Sequence, residues 1–476
     1  MLEARRSENT EQSAESENSF HLSPPSLSLP KGGGALKGMG EKFAANPVTG
    51  TGSMSVPIAT SPGRGGFGPQ LALTYDSGAG NSAFGFGWNL SLPAITRKTD
   101  RGLPRYWDAK ESDVFMLSGA EDLVPVSETE IPLRIVNRQT YQIQRYRPRV
   151  EGLFARIERW TNQGNPQDTF WRSISRDNIT TWYGKDANSR IADPDNPDRV
   201  FSWLICESYD DKGNVMVYRY KAENSDQVDL TEAHERNRTD ESRSANRYLK
   251  SIRYGNHAPY LPILEAEEPW PSPPGADASD ASENWFFEVV FDYGEHSPAS
   301  PWQHETEPWA ADGDPYRQFD NSWARRSDPF SFYRAGFEVR TYRLCRRVLM
   351  FHHFPEELAV GRHCLVRSTD FTYSNERNRI YSFLNSVQQT GYKRREGGGY
   401  HTKSLPPLEF TYTTPQIGDT VQEVDPTSLE NLSEGMDGAR YQWVDLDGEG
   451  LSGILTEQGG GWFYKRNLSP INQIQS

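Results

Sequence analysis

One local pattern recurs along most of this chain: a short run with apolar or aromatic side chains at alternate positions, closed by Gly, Pro, Asn or Asp. Met54, Val56 and Ile58 alternate with Ser53, Ser55 and Pro57, and Leu71, Leu73 and Tyr75 alternate with Gln70, Ala72 and Thr74. A period of two is the mark of a half-buried strand. Pro57 has no N–H to donate, so its strand is expected at an edge, or facing solvent on that side. The same reading predicts strands at Asp113–Leu117, Tyr141–Arg147, Phe154–Trp160, Phe170–Ser175, Thr180–Tyr183 and Val200–Tyr209. "SYDDKGNVMVYRY" (208–220) reads as a hairpin turning at "DDKGN", and further strands are expected in 248–256, 285–294, 335–354, 363–374 and 405–413. Long helical periods are absent, and the 40 glycines and 32 prolines are spread along the chain rather than gathered in one tract, so the expected fold is all-β.

At 476 residues the chain has room for several domains or one large β-structure. Its formal net charge is -14 and no long Lys/Arg run occurs, which argues against a nucleic-acid or anionic-membrane surface. Cys206, Cys345 and Cys364 form no C-x-x-C pair and read as buried fillers rather than a disulfide framework or zinc knuckle. The first twenty residues are polar, with no apolar stretch after Arg5-Arg6, so neither a Sec nor a twin-arginine signal is expected. No window is apolar enough for a membrane span.

Several motifs resemble chemistry and fail on context. Gly63–Gly68, "GRGGFG", satisfies G-x-G-x-x-G, but Pro62 precedes it, Pro69 follows it, and a strand rather than a helix comes next. A pyrophosphate needs that helix N-terminus, so the glycines are expected to serve backbone geometry. "FGFGW" is expected to set Phe84, Phe86 and Trp88 on one strand face, with Gly85 and Gly87 on the other. Glu-x-Glu at Glu128/Glu130, Glu265/Glu267 and Glu305/Glu307 lies in acidic loops without the partners that ADP-ribosyl transfer needs. His352-His353 and His363-Cys364 flank a turn, yet adjacent strand residues point to opposite faces, so at most one of the paired histidines joins any one site. No catalytic or cofactor-binding residue is therefore predicted. The best metal candidate is Asp445, Asp447 and Glu449 in "VDLDGEGLSGIL", at positions 1, 3 and 5 of a calcium-loop spacing with Gly450 at position 6. Position 12 is Thr456 where an EF-hand needs a bidentate Glu, so any Ca²⁺ at 445–450 sits in another kind of loop.

Longer stretches carry a family resemblance. "LPKGGGALKGMGEKFAANPVTGTGSMSVPI", "LTYDSGAGNSAFGFGWNLSLPAITRKTDRGLPRYWD", "SYDDKGNVMVYRY", "YLKSIRYGN" and "RLCRRVLMFHHF" together resemble the N-terminal domain shared by the Salmonella virulence plasmid B protein (SpvB) and the B components of Tc toxin complexes. "WVDLDGEGLSGIL" is similar to an FG-GAP-type propeller repeat. The implied organisation is a polar, disordered tail at 1–24, then a β domain at 25–413 with loops near 221–247 and 265–284. A linker at 414–436 and a partial propeller repeat at 437–476, the start of something longer, complete it.

The resemblance implies a non-catalytic structural part of a secreted toxin complex. Tc B and C components form a hollow β-shell of Tyr-Asp (RHS) repeats around a cytotoxic segment, and the B-component propeller docks on the pore-forming A component. "YDDKGN" resembles one such repeat. The implied partners are A-type pore-forming and C-type cargo-bearing components, with no nucleic acid and no direct membrane insertion. The chain would be made in the bacterial cytoplasm and leave it without a Sec signal. Two alternatives remain open: the leader domain of an SpvB-like ADP-ribosyltransferase whose catalytic part lies elsewhere, and a free-standing carbohydrate- or surface-binding β-protein.

Overall fold

The computed structural model describes residues 41–45, 52–118, 121–127, 131–136, 138–152, 154–165, 168–262, 272–273, 283–295, 323–374, 381–395, 399–412, 426–430, 440–446 and 452–468. They form two compact units, Met1–Thr411 and Tyr412–Ser476. The expected tail at 1–24, the three Glu-x-Glu pairs and most of the expected loop at 265–284 lie outside the described residues.

The first unit begins with β1 (Lys42–Ala45), β2 (Gly52–Ile58), β3 (Leu71–Asp76), β4 (Asn81–Ser82), β5 (Gly85–Phe86) and β6 (Trp88–Leu90). Strands β1-β2-β3-β6 make a four-stranded sheet. Pro57 is flanked by β3, but β1 ends opposite Ser55, so the proline sits where its missing N–H breaks no ladder. The Gly63–Gly68 segment makes a single 3₁₀ turn at Arg64–Gly66 before β3. A Cβ on Gly63 would lie 2.0 Å from the Phe67 carbonyl oxygen and 3.3 Å from the Tyr254 ring, so close backbone approach requires glycine there.

"FGFGW" departs from expectation. Gly85 (φ 95°) and Gly87 (φ 79°) both turn the chain, so Phe84, Phe86 and Trp88 do not share a strand face. Phe84 and Trp88 enter the core, whereas Phe86 packs tilted against Tyr381, ring centroids 4.4 Å apart.

Next come β7 (Ala94–Arg97), β8 (Phe115–Leu117), β9 (Glu121–Pro125), β10 (Leu133–Val136), β11 (Gln139–Pro148), β12 (Arg156–Asn162), β13 (Thr169–Ile174), β14 (Thr180–Tyr183), β15 (Arg190–Asp193) and β16 (Asn196–Tyr209). The antiparallel pairings β7–β8, β8–β9, β9–β11, β11–β12, β12–β13, β13–β14, β14–β16 and β16–β7 close an eight-stranded barrel. A barrel of this size is filled by its own side chains. Here Phe115, Tyr146, Trp171 and Trp203 do so, with Phe115 and Trp171 centroids 4.9 Å apart and Trp171 and Trp203 6.0 Å apart. Trp160, Phe170 and Trp182 form a separate buried cluster, with the Arg172 guanidinium 5.0 Å from the Trp160 ring and 5.3 Å from that of Trp182.

Strand β16 is shared with a second sheet. It pairs with β17 (Val215–Ala222), and the ladder continues antiparallel through β18 (Arg247–Asn256), β19 (Trp285–Asp292), then, after β20 (Phe330–Phe332) and β21 (Val339–Thr341), to β22 (Arg347–Phe354), β23 (Gly361–Tyr373) and β24 (Leu384–Arg394). The far edge of β24 takes both β25 (Tyr400–Ser404) and β26 (Leu408–Glu409). The small N-terminal sheet packs on this ladder: Tyr254 donates to the Ser61 carbonyl at 2.6 Å, and the Trp88 and Phe410 rings lie 4.9 Å apart.

The expected hairpin turn is built on Asp210, whose Oδ1 accepts from the Lys212 and Asn214 N–H groups, each at 2.9 Å. The polar excursion after β17 is tied down. Its short helix α1 (Asp240–Arg243) is capped by Thr239, and Glu235, in the 3₁₀ turn before it, accepts from the buried Arg243 and Arg340. In the second unit a short helix α2 (Pro426–Leu429) precedes an antiparallel three-stranded sheet, β27 (Tyr441–Val444), β28 (Gly453–Gln458) and β29 (Gly461–Lys465).

Candidate functional site

The most constructed feature on the first unit is the mouth of the barrel, crossed by the β7–β8 loop "RGLPRYWDAKESD" (101–113). Arg97, at the end of β7, is 1% exposed. Its Nη1 and Nη2 donate to Asp108 at 2.5 and 2.8 Å, Nη1 also to Asp113 at 2.8 Å, and Nε to the Val200 carbonyl at 2.7 Å. The guanidinium lies 4.6 Å from the Tyr106 ring, 5.1 Å from Phe115 and 5.3 Å from Trp203. Burial opposes the charge, but Asp108 and Asp113 outweigh it and hold the Arg97 pKa above its ordinary value.

A second latch is Glu111, which accepts from Arg159 Nη2 at 2.5 Å and from the Tyr146 hydroxyl at 2.8 Å. Asp113 also accepts from the N–H groups of Arg105 and Tyr106, at 2.8 and 2.9 Å. Tyr106 and Glu111 adopt φ values of 61° and 47°, sparsely populated for such side chains. Beside the loop lies a cavity of about 510 Å³, lined among others by Arg105, Trp107, Lys110, Asn196, Asp198 and Arg199.

A second cavity of about 630 Å³ involves β16, β17 and β18. Its lysines are paired with carboxylates: Lys185 with Glu207 at 2.8 Å, Lys250 with Glu295 at 2.5 Å, and Lys221 with Glu295 at 3.5 Å. Burial pushes Glu295 up, but Lys250 and Lys221 more than offset it and hold the carboxyl below its usual range. Cys206 also lines this cavity, and burial pushes its thiol up to about 12, so it is neither a thiolate nucleophile nor a ready metal ligand.

The paired histidines diverge as the strand period requires. His352 Nε2 lies 2.6 Å from Ser61 Oγ, and burial lowers its pKa to about 4. His353 is fully buried, 3.6 Å from Glu288, and its ring packs at 4.9 Å on that of His363. Cys364 lies instead in an apolar cluster with Leu349, Phe351 and Leu365. Among the described residues, no three His, Cys, Asp or Glu side chains converge on a metal position, and no helix is long and apolar enough to cross a membrane. Asp445 directly follows β27, whereas Asp447 and Glu449 lie outside the described residues. Sequence reasoning missed the barrel-mouth loop; a tryptophan among Arg, Asp and Lys next to Gly and Pro was its one visible signal.

The family model described as Salmonella virulence plasmid 65kDa B protein matches residues 46–354. Among curated relatives, the mono(ADP-ribosyl)transferase SpvB of Salmonella choleraesuis (strain SC-B67) is 37% identical over 390 residues, covering 80% of this chain and 58% of that protein. The chain thus spans a little over half the length of such relatives. Among solved structures, the N-terminal domain of effector protein SpvB from Salmonella typhimurium strain LT2 is 36% identical with a TM-score of 0.59, covering 71% of this chain and 98% of that one. The crystal structure of TcdB2-TccC3 is 33% identical with a TM-score of 0.69, covering 93% of this chain and 20% of that one. A Photorhabdus luminescens Tc holotoxin pore is 33% identical with a TM-score of 0.70, covering 94% and 19%.

Proposed function

This chain belongs to the Salmonella virulence plasmid 65kDa B protein (SpvB) family, and from that starting point we propose that it is a non-catalytic wall element of a Tc-type toxin complex. The observation that carries the reading is coverage. The likeness to TcdB2-TccC3 spans 93% of the chain and so extends past the 80% that aligns with the full-length SpvB relative. In this reading the first unit helps enclose a cytotoxic cargo, and Tyr209–Asn214 is a Tyr-Asp repeat turn. The sheet β27–β29 begins a propeller that docks on an A-type pore-forming component, and a C-type component supplies the cargo.

Support also comes from the chemistry of the interior. The three lysines lining the second cavity are held by Glu207 and Glu295, and its thiol stays protonated. The chain would leave the cell with its toxin partners rather than through a Sec signal. The Asp445/Asp447/Glu449 loop is proposed as a Ca²⁺ site of the propeller repeat, with domain limits near 25–413 and 437–476.

The test is association. The purified chain, mixed with A-type and C-type components, is expected to co-migrate with both on size exclusion. It is also expected to transfer no label from labelled NAD to proteins of a host-cell lysate. Failure to associate with either component would favour the second reading, the leader part of an ADP-ribosyltransferase whose catalytic part lies elsewhere, which the name of the curated relatives supports, and label transfer by this chain would refute the non-catalytic assignment itself. Calorimetric titration with Ca²⁺ should give a binding heat that Asp445→Ala with Asp447→Ala abolishes while leaving the melting of the first unit in place.

A further inference from the structure

The β7–β8 loop is braced more heavily than a strand connection requires, and its bracing leaves three kinds of side chain facing outward. We propose that the barrel mouth is a binding site for an acidic saccharide, a sugar ring bearing a carboxylate, stacked on Trp107. The proposal is independent of the toxin-shell reading.

Trp107 is 59% exposed, yet its backbone is fixed on both sides: its N–H donates to Ser112 Oγ at 3.0 Å and its carbonyl accepts from Lys110 N–H at 2.8 Å. The neighbouring Tyr106 holds a left-handed φ of 61°, maintained by Asp113, and its hydroxyl is tied to the Ala335 carbonyl. Strain concentrated on a braced loop beside a cavity is a common feature of ligand sites. An indole carried on such a loop is a stacking platform whose backbone is already ordered, so less freedom is lost when a ring settles on it.

The charges around the platform favour an acid. Asp108 is consumed by Arg97, both of its oxygens accepting from that guanidinium. Arg199 reaches Asp193 at 3.4 Å. Arg105 and Lys110 have no carboxylate partner among the described residues, and the Lys110 ammonium stands 5.5 Å from the Trp107 ring centroid. A carboxylate on a stacked ring would therefore meet Arg105 and Lys110 and would have to lie away from the Asp198 carboxylate, which with Asn196 can accept from the ring hydroxyls. The cavity of about 510 Å³ has the volume of a small-ligand site. A nucleic-acid strand is disfavoured because the chain carries a net charge of -14 and no basic track.

The test uses the full chain and saturation-transfer NMR with calorimetry. The probes are N-acetylneuraminic acid and trigalacturonic acid, with galactose as the neutral control and inorganic phosphate as the bare-anion control. Both acidic probes should bind, and binding should weaken as NaCl rises from about 50 to about 300 mM. Trp107→Ala should weaken binding about tenfold or more without moving the melting temperature, and Trp107→Tyr should retain most of it. Arg105→Ala with Lys110→Ala should abolish the preference for acid over neutral sugar. The proposal is overturned if neither acidic probe binds, if galactose binds equally well, if Trp107→Ala binds as tightly as the unaltered chain, or if phosphate competes as well as the saccharides.

Discussion

Replacing Arg343 by methionine removes five hydrogen bonds from a place where no water can stand in for them. Arg343 is fully buried and Glu223 is 1% exposed. Its Nε donates to Glu223 at 2.8 Å, Nη1 to the carbonyls of Asp226 and Trp323 at 3.0 and 2.6 Å, and Nη2 to the Asn224 carbonyl and Oδ1 at 2.8 and 3.0 Å. Every N–H of the guanidinium is thus used. Without it Glu223 keeps the Tyr248 hydroxyl at 2.6 Å and the Tyr342 N–H at 2.8 Å, but it has lost its cation. Removing one partner of a buried pair costs about 3–5 kcal/mol. With an unfolding entropy near 2.1 cal/mol/K per residue, the roughly 300 described residues of the first unit melt with roughly 0.6 kcal/mol/K, so the expected drop is about 5–8 °C. Scanning calorimetry on the full chain reads it directly, and any separate transition from Tyr412–Ser476 should stay in place. Combining Arg343→Met with Glu223→Gln should recover part of the loss, because no buried carboxylate is then stranded. A midpoint within about 1 °C of the unaltered chain would show that the network carries no stability, and the reasoning would fail.

Gly63→Ala should destabilise by about 3 kcal/mol or more, since its Cβ would meet the Phe67 carbonyl at 2.0 Å, whereas Gly65→Ala meets open space and bears only the left-handed backbone penalty of about 1–2 kcal/mol; equal urea midpoints would contradict the close approach. Burial alone would raise Glu288, but Arg253 and His353 bring its pKa down from 4.5 to about 2, so its contribution of about 3 kcal/mol is intact above pH 4.5 and fades as pH falls toward 2. Glu288→Gln should flatten that part of the acid-unfolding curve, and an unchanged slope would remove Glu288 as its source. Changing the pair together, Arg253→Met with Glu288→Leu, should leave the midpoint within about 2 kcal/mol of its starting value. The same variant should show faster amide exchange and extra NMR peaks along β18 and β19; a single sharp spectrum with unaltered protection would deny the pair any part in fixing register.

Local elements were legible where the side-chain period decides them. Thr180–Tyr183 forms as read, and "DDKGN" turns as its Asp, Gly and Asn require. Closure of the barrel was not legible, because Ile95 pairs with Trp203 across more than a hundred residues and alternation says which face is buried, not which strand lies beside it. "FGFGW" misled for a related reason: period two assumes extended backbone, and two glycines with positive φ cancel it. The barrel mouth was hidden because Arg97 looks like the solvent side of a strand, yet it is the buried centre of the loop's support. The acidic loop was visible as a spacing alone, since convergence of Asp445, Asp447 and Glu449 is a matter of backbone path.

The buried arginines explain how so many similar strands find one arrangement. An apolar face accepts a two-residue slip at modest cost, since one Val or Tyr replaces another on the same side. A buried guanidinium does not: Arg253 needs Glu288 opposite it, and Arg347 needs Asp292, 2.8 Å away. Each displaced pair would strand a charge, a penalty larger than any gain from an alternative apolar match. The same device joins distant segments. Arg326 binds Asp328 at 2.8 Å and also reaches back to Asn81 Oδ1 at 2.9 Å and the Ser82 carbonyl at 2.6 Å, locking the glycine-rich N-terminal stretch onto the main ladder. Charged pins at fixed registers thus supply rigidity where a purely greasy core would permit sliding.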